Sequence, residues 1–333
     1  MKRIATFLVK KRIIVLCVFA ALAVAGAAMM PFVNINYDLT QYLPDDFKSK
    51  QALEIMTEEF GDVSPVDIVF KGITEEQAAV ISKELGEFEG ITAVLYDAGS
   101  ADYRKDDYTR FTLTVGHNAY SEEAINVVNT IRDRYQSQGL TVYTVGMIVE
   151  NDISNSTLFV AILVAFAILM VILFVASSSW LDPLIYLITI GAAVLINMGT
   201  NLFFSSVSSM TESVTAILQL VLSMDYSIML ITRYRQERLL VNDPETAMIN
   251  AIQNGFAPIA SSSVTTIVGL LCLIFMSFTI GVDMGIVLAK GVLISLLCVF
   301  TVLPALTLML DKYLYRAMKK RKRNLIPLAE EAK

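Results

Sequence analysis

Residues 214–232 read VTAILQLVLSMDYSIMLIT, an apolar run broken by a few hydroxyl groups, one amide and a single carboxylate, Asp225. A helix that crosses a bilayer needs about 20 predominantly apolar residues, so this run has the length of a membrane span. Five other runs of similar length predict six spans in all: Ile13–Phe32, Leu158–Ala176, Pro183–Phe204, Val214–Thr232, Ala257–Phe278 and Gly285–Leu310.

The composition also indicates an integral membrane protein. Of the 333 residues, 55% are hydrophobic and only 17% are charged, whereas soluble domains carry about 25% charged residues. The first span has basic residues before it, as a signal peptide does. Its apolar run is longer than the usual ~7–15 residues, however, and Met29–Phe32 is a poor cleavage site. We therefore expect this segment to stay in the membrane.

The basic residues predict the orientation of the chain. They cluster before the first span, after the fourth and after the sixth, which six spans place on one side. The positive-inside rule makes that side the cytoplasm. Both termini are thus expected inside a cell membrane, with the chain divided into residues 1–32, an extracytoplasmic segment 33–157, a bundle 158–310 and a basic tail 311–333. The residues concerned are Lys2, Arg3, Lys10, Lys11 and Arg12; Arg233, Arg235 and Arg238; and Lys312, Arg316, Lys319, Lys320, Arg321, Lys322 and Arg323.

The outer segment has the pattern of a small α+β domain. An amphipathic helix over Lys48–Phe60 is expected to end at Gly61, and a capping box of Thr74 and Gln77 opens the next helix. Alternating apolar residues indicate strands. The resulting order, βαββαβ, predicts a ferredoxin-like domain. Its strands are Val66–Lys71, Ile91–Tyr96, Thr109–Val115 and Leu140–Val145, and its helices are Thr74–Phe88 and Ser121–Tyr135.

Several function classes are excluded at this stage. The outer segment holds 22 acidic and 9 basic residues, and the other basic residues are explained by the topology, so nucleic-acid binding is not expected. We interpret the acidic surface as a means of solubility rather than of cation attraction. All three cysteines lie in predicted spans and His117 is the single histidine, which argues against a disulfide or a metal site in the outer segment. No nucleophile with a base is visible, so we predict a binding or gating domain, without catalytic residues or a cofactor, rather than an enzyme.

Asp225 is the clearest candidate for a functional residue. It lies eight residues before Arg233, or roughly 12 Å inside its helix at ~1.5 Å per residue. No Lys or Arg stands within one helical turn of it. An ionisable residue at this depth costs at least ~2.5–3.5 kcal/mol on insertion scales, and such residues often serve as proton relays. The alternative is a structural carboxylate bonded to neighbouring helices.

Other polar residues in the spans divide into two groups. Thr265 and Thr266 are expected at the level of Asp225, where they and Ser223 could support either protonation state, although threonines in spans also bond their own helix carbonyls. Lys290 is expected near the outer end of the sixth span. There it could extend outward or pair with Glu212 or Asp283, and Glu212 could alternatively join an outward proton path.

These residues together resemble one half of a transporter of the RND superfamily, closest to its MMPL branch. One span, a large outer domain and five further spans give the same architecture. Ser223-Met-Asp-Tyr-Ser, followed by Arg233-Tyr-Arg-Gln-Glu, is similar to the Asp-Tyr motif of the family's fourth helix. Ser261-Ser-Ser-Val-Thr-Thr and Leu303-Pro-Ala-Leu extend the resemblance over nearly the whole chain.

The resemblance implies a proton relay at Asp225 and Tyr226. It further implies export of hydrophobic or amphipathic molecules, often lipids, driven by the proton gradient. Family members usually carry two such halves in one chain, whereas only one copy is present here. The chain is therefore expected to pair with itself or with a separate half, or it is a fragment. A second hypothesis is a lipid-sensing or accessory membrane module that does not transport.

Overall fold

The computed structural model describes residues 2–60, 64–177 and 179–316. The predicted helix end at Gly61 and the basic tail from residue 317 lie outside these ranges. Within them the elements are, in chain order, α1 (Lys2–Lys10), α2 (Arg12–Met29), β1 (Ile35–Asn36), α3 (Lys48–Phe60), β2 (Ser64–Lys71), α4 (Glu75–Gly86), β3 (Ile91–Leu95), β4 (Arg104–Lys105), β5 (Tyr108–Val115), α5 (Glu122–Ser137), β6 (Thr141–Val145), α6 (Met147–Ala176), α7 (Asp182–Gly199), β7 (Val207–Ser208), α8 (Ser209–Leu240), α9 (Pro244–Leu271) and α10 (Ile280–Arg316).

The chain divides into two compact units. One is helical and consists of Met1–Tyr42 and Ile162–Lys333, and the other is Leu43–Ala161. The predicted boundaries at residues 33 and 157 concern the membrane topology and stay predictions.

The unit Leu43–Ala161 is built on an antiparallel sheet. Its strands lie in the order β3–β5–β2–β6, and the short β4 pairs with β5. The order of helices and strands differs from the predicted one by β4 alone, which the sequence pattern missed because it has two residues. Central strand β2 pairs with β5 along its whole length, from Ser64 opposite Val115 to Lys71 opposite Tyr108.

Alternation along the strands explains which sheet face is covered. Val66, Ile68 and Phe70 of β2 are fully buried, whereas the residues between them are half-buried. Helix α4 begins with the predicted capping box, in which Gln77 N donates to Thr74 Oγ1 over 3.2 Å and Thr74 N donates to Gln77 Oε1 over 2.9 Å. Helix α4 therefore starts at a fixed point, and both α4 and α5 contribute buried side chains to the core that covers the sheet.

The helical unit contains long apolar helices. Five helices of the described chain are long and apolar enough to cross a membrane, and the end of α6 adds a shorter apolar stretch, Leu163–Val175. The five longer stretches overlap five of the six predicted runs. The short stretch lies within the second predicted run, Leu158–Ala176, but is shorter than a membrane span, so the count of six spans stays a prediction. The five longer segments are Arg12–Phe32, Asp182–Phe203, Ser209–Leu240, Pro244–Phe275 and Ile280–Leu314.

Glycines set the closest helix contacts of this unit. A Cβ atom added to Gly26 of α2 would lie 2.4 Å from Leu195 O, and one added to Gly199 of α7 would lie 2.2 Å from Gly26 O. Gly281 of α10 similarly faces Leu273 O at 2.4 Å. Since apolar surface drives little association inside lipid, such backbone proximity is a main source of helix packing there.

One end of α8 is joined to the chain that leaves the first span. Strand β7 directly precedes α8 and pairs in parallel with β1, Ile35 opposite Val207. Asp283 Oδ2 accepts a hydrogen bond of 2.8 Å from Ser208 N, and both N and Oγ1 of Thr279 donate to Tyr42 O. The beginnings of α8 and α10 are thus tied to residues 35–42.

The other end of α8 is held by polar contacts to three helices, α7, α9 and α10. Most of its arginines face carboxylates of other elements, so the basic residues that predicted the orientation also link helices. The contacts are Arg235–Asp182 at 2.6 Å, Arg238–Asp311 at 3.2 Å, Tyr234–Asp311 at 2.6 Å, Asn254–Glu237 at 2.9 Å and Arg233–Glu237 at 3.3 Å, while Arg12–Glu245 at 2.7 Å links α2 to α9.

Candidate functional site

Asp225 stands in the middle of α8 and points away from the bundle. Its side chain is exposed, whereas its neighbours Met224 and Tyr226 are buried. In the part of the chain that the structure describes, its carboxylate makes no hydrogen bond or ion pair. The predicted isolation of Asp225 from basic residues therefore holds in three dimensions.

Tyr226 and Ser223 lie on the opposite, inner side of α8. Both side chains are at least 97% buried, and neither hydroxyl has a hydrogen-bond partner among the described residues. Successive residues of a helix are separated by ~100°, and here Asp225 is exposed whereas Tyr226 is buried. The structure does not bring the two predicted relay residues together.

The threonines of α9 use their hydroxyl groups locally. Thr265 Oγ1 donates to Ser261 O over 3.0 Å, and Thr266 Oγ1 donates to Ser262 O over 3.1 Å. This is the alternative that the sequence left open, in which a threonine in a span satisfies its own helix carbonyl. Thr265 is nevertheless exposed, as Asp225 is, so its oxygen stays accessible from outside the bundle.

A buried polar stripe runs along the inner face of α8. Its residues recur every four positions, which is the spacing that keeps side chains on one side of a helix. A cavity of about 10 Å³ lies against Thr215 and Gln219. The stripe consists of Thr211, Thr215, Gln219, Ser223 and Ser227, all at most 2% exposed.

Gln219 is the centre of a hydrogen-bond network across three helices. Its Oε1 accepts from Asn197 Nδ2 of α7 over 3.1 Å. Its Nε2 donates to Gly291 O over 3.3 Å and to Ser295 Oγ over 3.1 Å, both in α10. Because a buried amide costs free energy unless it is bonded, this network stabilises one particular arrangement of α7, α8 and α10. The sequence analysis missed Gln219, although the four-residue spacing of polar residues could have revealed it.

The predicted partners of Lys290 are wrong. Its Nζ donates to Asn201 Oδ1 over 2.6 Å and to Asn197 O over 3.1 Å, and it lies 5.0 Å from the centre of the Phe204 ring. Neither Glu212 nor Asp283 forms an ion pair with it among the described residues. The carbonyl oxygens at the end of α7 carry partial negative charge. They therefore attract the ammonium group of Lys290 without any carboxylate.

Glu212 and Asp283, near the beginnings of α8 and α10, lie in different environments. Glu212 is half-buried in the first turn of α8 and forms no salt bridge in the described ranges. Asp283 accepts from Ser208 N, as above, and is near Tyr42. Burial and the negative charge of Asp283 raise the pKa of Tyr42, although a bond to Ser206 opposes the shift. Tyr42 thus stays neutral at physiological pH.

The described part of the chain holds a carboxylate at this site but no metal centre, because no three of its His, Cys, Asp and Glu residues lie close enough to hold a metal ion. The arrangement therefore presents an exposed carboxylate on one side of α8 and a buried polar network on the inner side of the same helix.

A family model described as "MMPL family" matches residues 41–328. The matched range begins just before the unit Leu43–Ala161 and ends beyond the last described residue, so it covers most of the chain. It includes the Asp225 region, the polar stripe and Lys290.

Curated relatives match over most of this chain. The membrane protein ActII-3 of Streptomyces coelicolor is 26% identical over 84% of this chain and 42% of its own length. The apo-petrobactin exporter of Bacillus anthracis is 22% identical over 87% of this chain and 41% of its own length. The chain therefore spans less than half the length of these relatives.

A solved structure shares the fold. SecDF, a translocon-associated membrane protein from Thermus thermophilus, superimposes with a TM-score of 0.53 and 15% identity. The alignment covers 91% of this chain and 38% of that protein. At this identity the likeness concerns the fold alone.

Proposed function

This chain belongs to the MMPL family, and we propose that it is one six-span half of a proton-driven exporter in which Asp225 carries the proton. The observation that carries the proposal is the exposed, unpaired carboxylate in the middle of α8. In lipid, a charge at this position costs at least ~2.5–3.5 kcal/mol, so a purely structural reason for it is difficult to find. Multiple apolar helices and membrane-protein relatives make the chain a multi-pass membrane protein.

The free-energy cost of exposing Asp225 to lipid suggests that another helical bundle covers the exposed side of α8. Helix α9 exposes Ser261, Thr265 and Gly269 at four-residue spacing, and a Cβ atom added to Gly269 would meet nothing within 4 Å. Small residues in such a row allow two helices to approach closely in a membrane. We therefore place the second half, either a second copy of this chain or a separate chain of the same fold, against the exposed side of α8 and α9.

The relay works through the charge of Asp225. Proton binding removes the charge and lowers the free energy of exposing this part of α8, while proton release restores the charge. Because β7 runs directly into α8 and pairs with β1, a shift of α8 is passed to the chain leading to residues 43–161. Tyr226 and Ser223, whose hydroxyls lack partners, and Thr265 and Thr266 complete the surroundings that this shift rearranges.

The topology and the outer domain belong to the same proposal. Basic residues support termini in the cytoplasm of a cell membrane and residues 33–157 outside. The sheet order β3–β5–β2–β6 with two helices supports a ferredoxin-like outer domain. The substrate is a hydrophobic or amphipathic molecule such as a lipid, and one curated relative is an exporter. In this proposal Lys290, Glu212 and Asp283 lie near the outer boundary of the membrane.

The test uses the purified chain in vesicles with an imposed pH gradient. Pyranine inside the vesicles reports proton entry, and dithionite quenching reports the movement of a phospholipid with a nitrobenzoxadiazole-labelled headgroup. Asp225→Asn should abolish both signals, while Asp106→Asn, on the outer unit, should keep them. Equal lipid movement in both variants would overturn the relay and favour a lipid-binding module that works without the gradient.

A further inference from the structure

Helix α1 combines three kinds of surface in nine residues. Ala5 and Val9 are buried, at 0% and 1% exposure, whereas Ile4 and Phe7 are 58% and 60% exposed. The remaining surface is cationic, and its side chains are all exposed. These cations are Lys2, Arg3 and Lys10, followed directly by Lys11 at the junction with α2.

The position of α1 is fixed by its buried side. It packs against α9 and α10, whereas α2 packs against α7 and α10. The chain changes direction between them at Lys11, whose φ of −102° and ψ of 25° depart from helical values. Arg12 then bonds Glu245, the second residue of α9, over 2.7 Å. Helix α1 is thus held beside the beginning of α9, where α9 leaves the membrane.

The cations of α1 differ from the arginines at the same end of the bundle. Arg12, Arg233, Arg235 and Arg238 each have a carboxylate within 4 Å. Among the described residues, no acidic side chain comes that close to a cation of α1. Three positive charges of α1 and that of Lys11 directly after it are therefore concentrated in ten residues, without an acidic partner in the described chain, beside exposed Ile4 and Phe7.

We propose that α1 is a docking surface for anionic lipid headgroups of the adjoining leaflet. A helix with apolar residues on one side and Lys or Arg on the other lies in the membrane interface, with its apolar residues among the acyl chains. Ile4 and Phe7 supply that apolar contact. The ammonium and guanidinium groups of α1 then meet the phosphate groups, which a polybasic surface near a membrane attracts.

This surface offers a second point at which the membrane acts on the bundle. Since α1 rests on α9 and is joined to it through Arg12 and Glu245, lipids bound to α1 hold the beginning of α9 at the depth of the headgroups. The inference is independent of proton-driven transport, because binding alone is predicted.

The experiment measures lipid retention by the full chain. Protein in detergent is mixed with phosphatidylglycerol or phosphatidylcholine, and retained lipid is counted by native mass spectrometry over a concentration series. The variant is Lys10→Gln/Lys11→Gln. Its matched controls, each of equal charge change, are Lys83→Gln/Lys105→Gln on the outer unit and Lys320→Gln/Lys322→Gln in the tail sequence.

We expect phosphatidylglycerol affinity to fall on the order of 10–30-fold in the α1 variant, as the loss of two interfacial cations implies. Phosphatidylcholine retention and both controls should stay near wild type. Equal phosphatidylglycerol affinity in the α1 variant, or an equal loss in either control, would overturn the proposal. So would a change of assembly mass in the α1 variant without a change in lipid retention, since that would assign the surface to a second copy.

A measurement on the unchanged protein guards against misfolding of the variant. Rising salt should weaken the retention of phosphatidylglycerol but not that of phosphatidylcholine, because salt screens exposed charges. Salt-independent retention of phosphatidylglycerol would contradict the inference. Phe7→Ser should lower the retention of both lipids alike, since it removes the apolar contact and leaves the charges.

Discussion

Arg235 lies across the carboxylate of Asp182, with one guanidinium nitrogen 2.7 Å from Oδ1 and 2.6 Å from Oδ2. Asp182, the first residue of α7, is only 2% exposed and also accepts from Ser179 N over 2.9 Å. The pair joins the end of α8 to the start of α7. One of the basic residues on which the predicted orientation rests therefore also links two helices.

Asp182→Asn should destabilise the helical unit by about 3 kcal/mol, because it leaves a largely buried guanidinium without its charge partner. The matched variant is Glu245→Gln, which breaks the more exposed pair with Arg12 and should cost at most about 1 kcal/mol. Unfolding in detergent, followed by circular dichroism, compares the two. Equal losses would show that burial does not decide the strength of these pairs.

Gly199→Ala should separate α2 from α7, since its Cβ atom would lie 2.2 Å from Gly26 O. We expect a loss of about 1–3 kcal/mol, as for other overpacked sites. Gly191→Ala, in the same helix but with open space around its Cβ, should be neutral or stabilising by up to about 1 kcal/mol. Thermal midpoints of both variants in one detergent give the comparison.

Asn197 and Gln219 should be energetically coupled, because Asn197 Nδ2 donates to Gln219 Oε1 inside the bundle. A double-mutant cycle with Asn197→Ala and Gln219→Ala should give a coupling of about 0.6–1.7 kcal/mol, the range found for hydrogen bonds between membrane helices. Additive losses would mean that the network contributes through packing alone.

The stability of the outer unit should fall at alkaline pH through Tyr135. Burial, and then the hydrogen bond to Glu84, raise the pKa of Tyr135. Its folded pKa lies above the unfolded value of about 10, so unfolding is favoured once the unfolded tyrosine ionises. The stabilisation is complete below about pH 10 and is lost as the pH rises further. Unfolding of the full chain between pH 8 and 11 should show this decline, and Tyr135→Phe should lessen it.

Pairing across α9 should appear in the mass of the solubilised assembly. If the partner is a second copy, native mass spectrometry should give twice the chain mass of 36.8 kDa. Gly269→Leu should shift the assembly to single chains, because a large side chain would fill the row of small residues. Gly191→Leu is the control on α7. A single-chain mass for the unchanged protein would point to a separate partner half.

The elements that could be predicted from sequence are those with a strong local pattern. Strand alternation and the Thr74–Gln77 box predicted the helices and longer strands of the unit Leu43–Ala161, and apolar length predicted the five helices that are long enough to cross a membrane. Strand β4 was missed because two residues carry no periodicity, and it is held only by pairing with β5.

The candidate site could be predicted only in part. The structure places Asp225 inside a long helix, as expected, but the side of α8 that faces inward was not predicted, although the four-residue spacing of its polar residues marks that side. The partners of Lys290 were mispredicted because charge alone suggests carboxylates. The actual acceptors are neutral oxygens of Asn197 and Asn201, about 90 positions away in the chain, as the 93- and 89-residue separations show. Long-range polar contacts of this kind leave no local sequence signal.

Helix α8 is fastened at both of its ends, to β1 and Asp283 through the residues before it and to Asp182 and Asp311 near its last turns. Sliding of α8 along its own axis by one turn would break both sets of contacts together. A bend in its middle would keep both sets. The side chains of Asp225, Ser223 and Tyr226 lie in this middle part and have no hydrogen-bond partner in the described chain, so a bend there would break no side-chain hydrogen bond of these three residues.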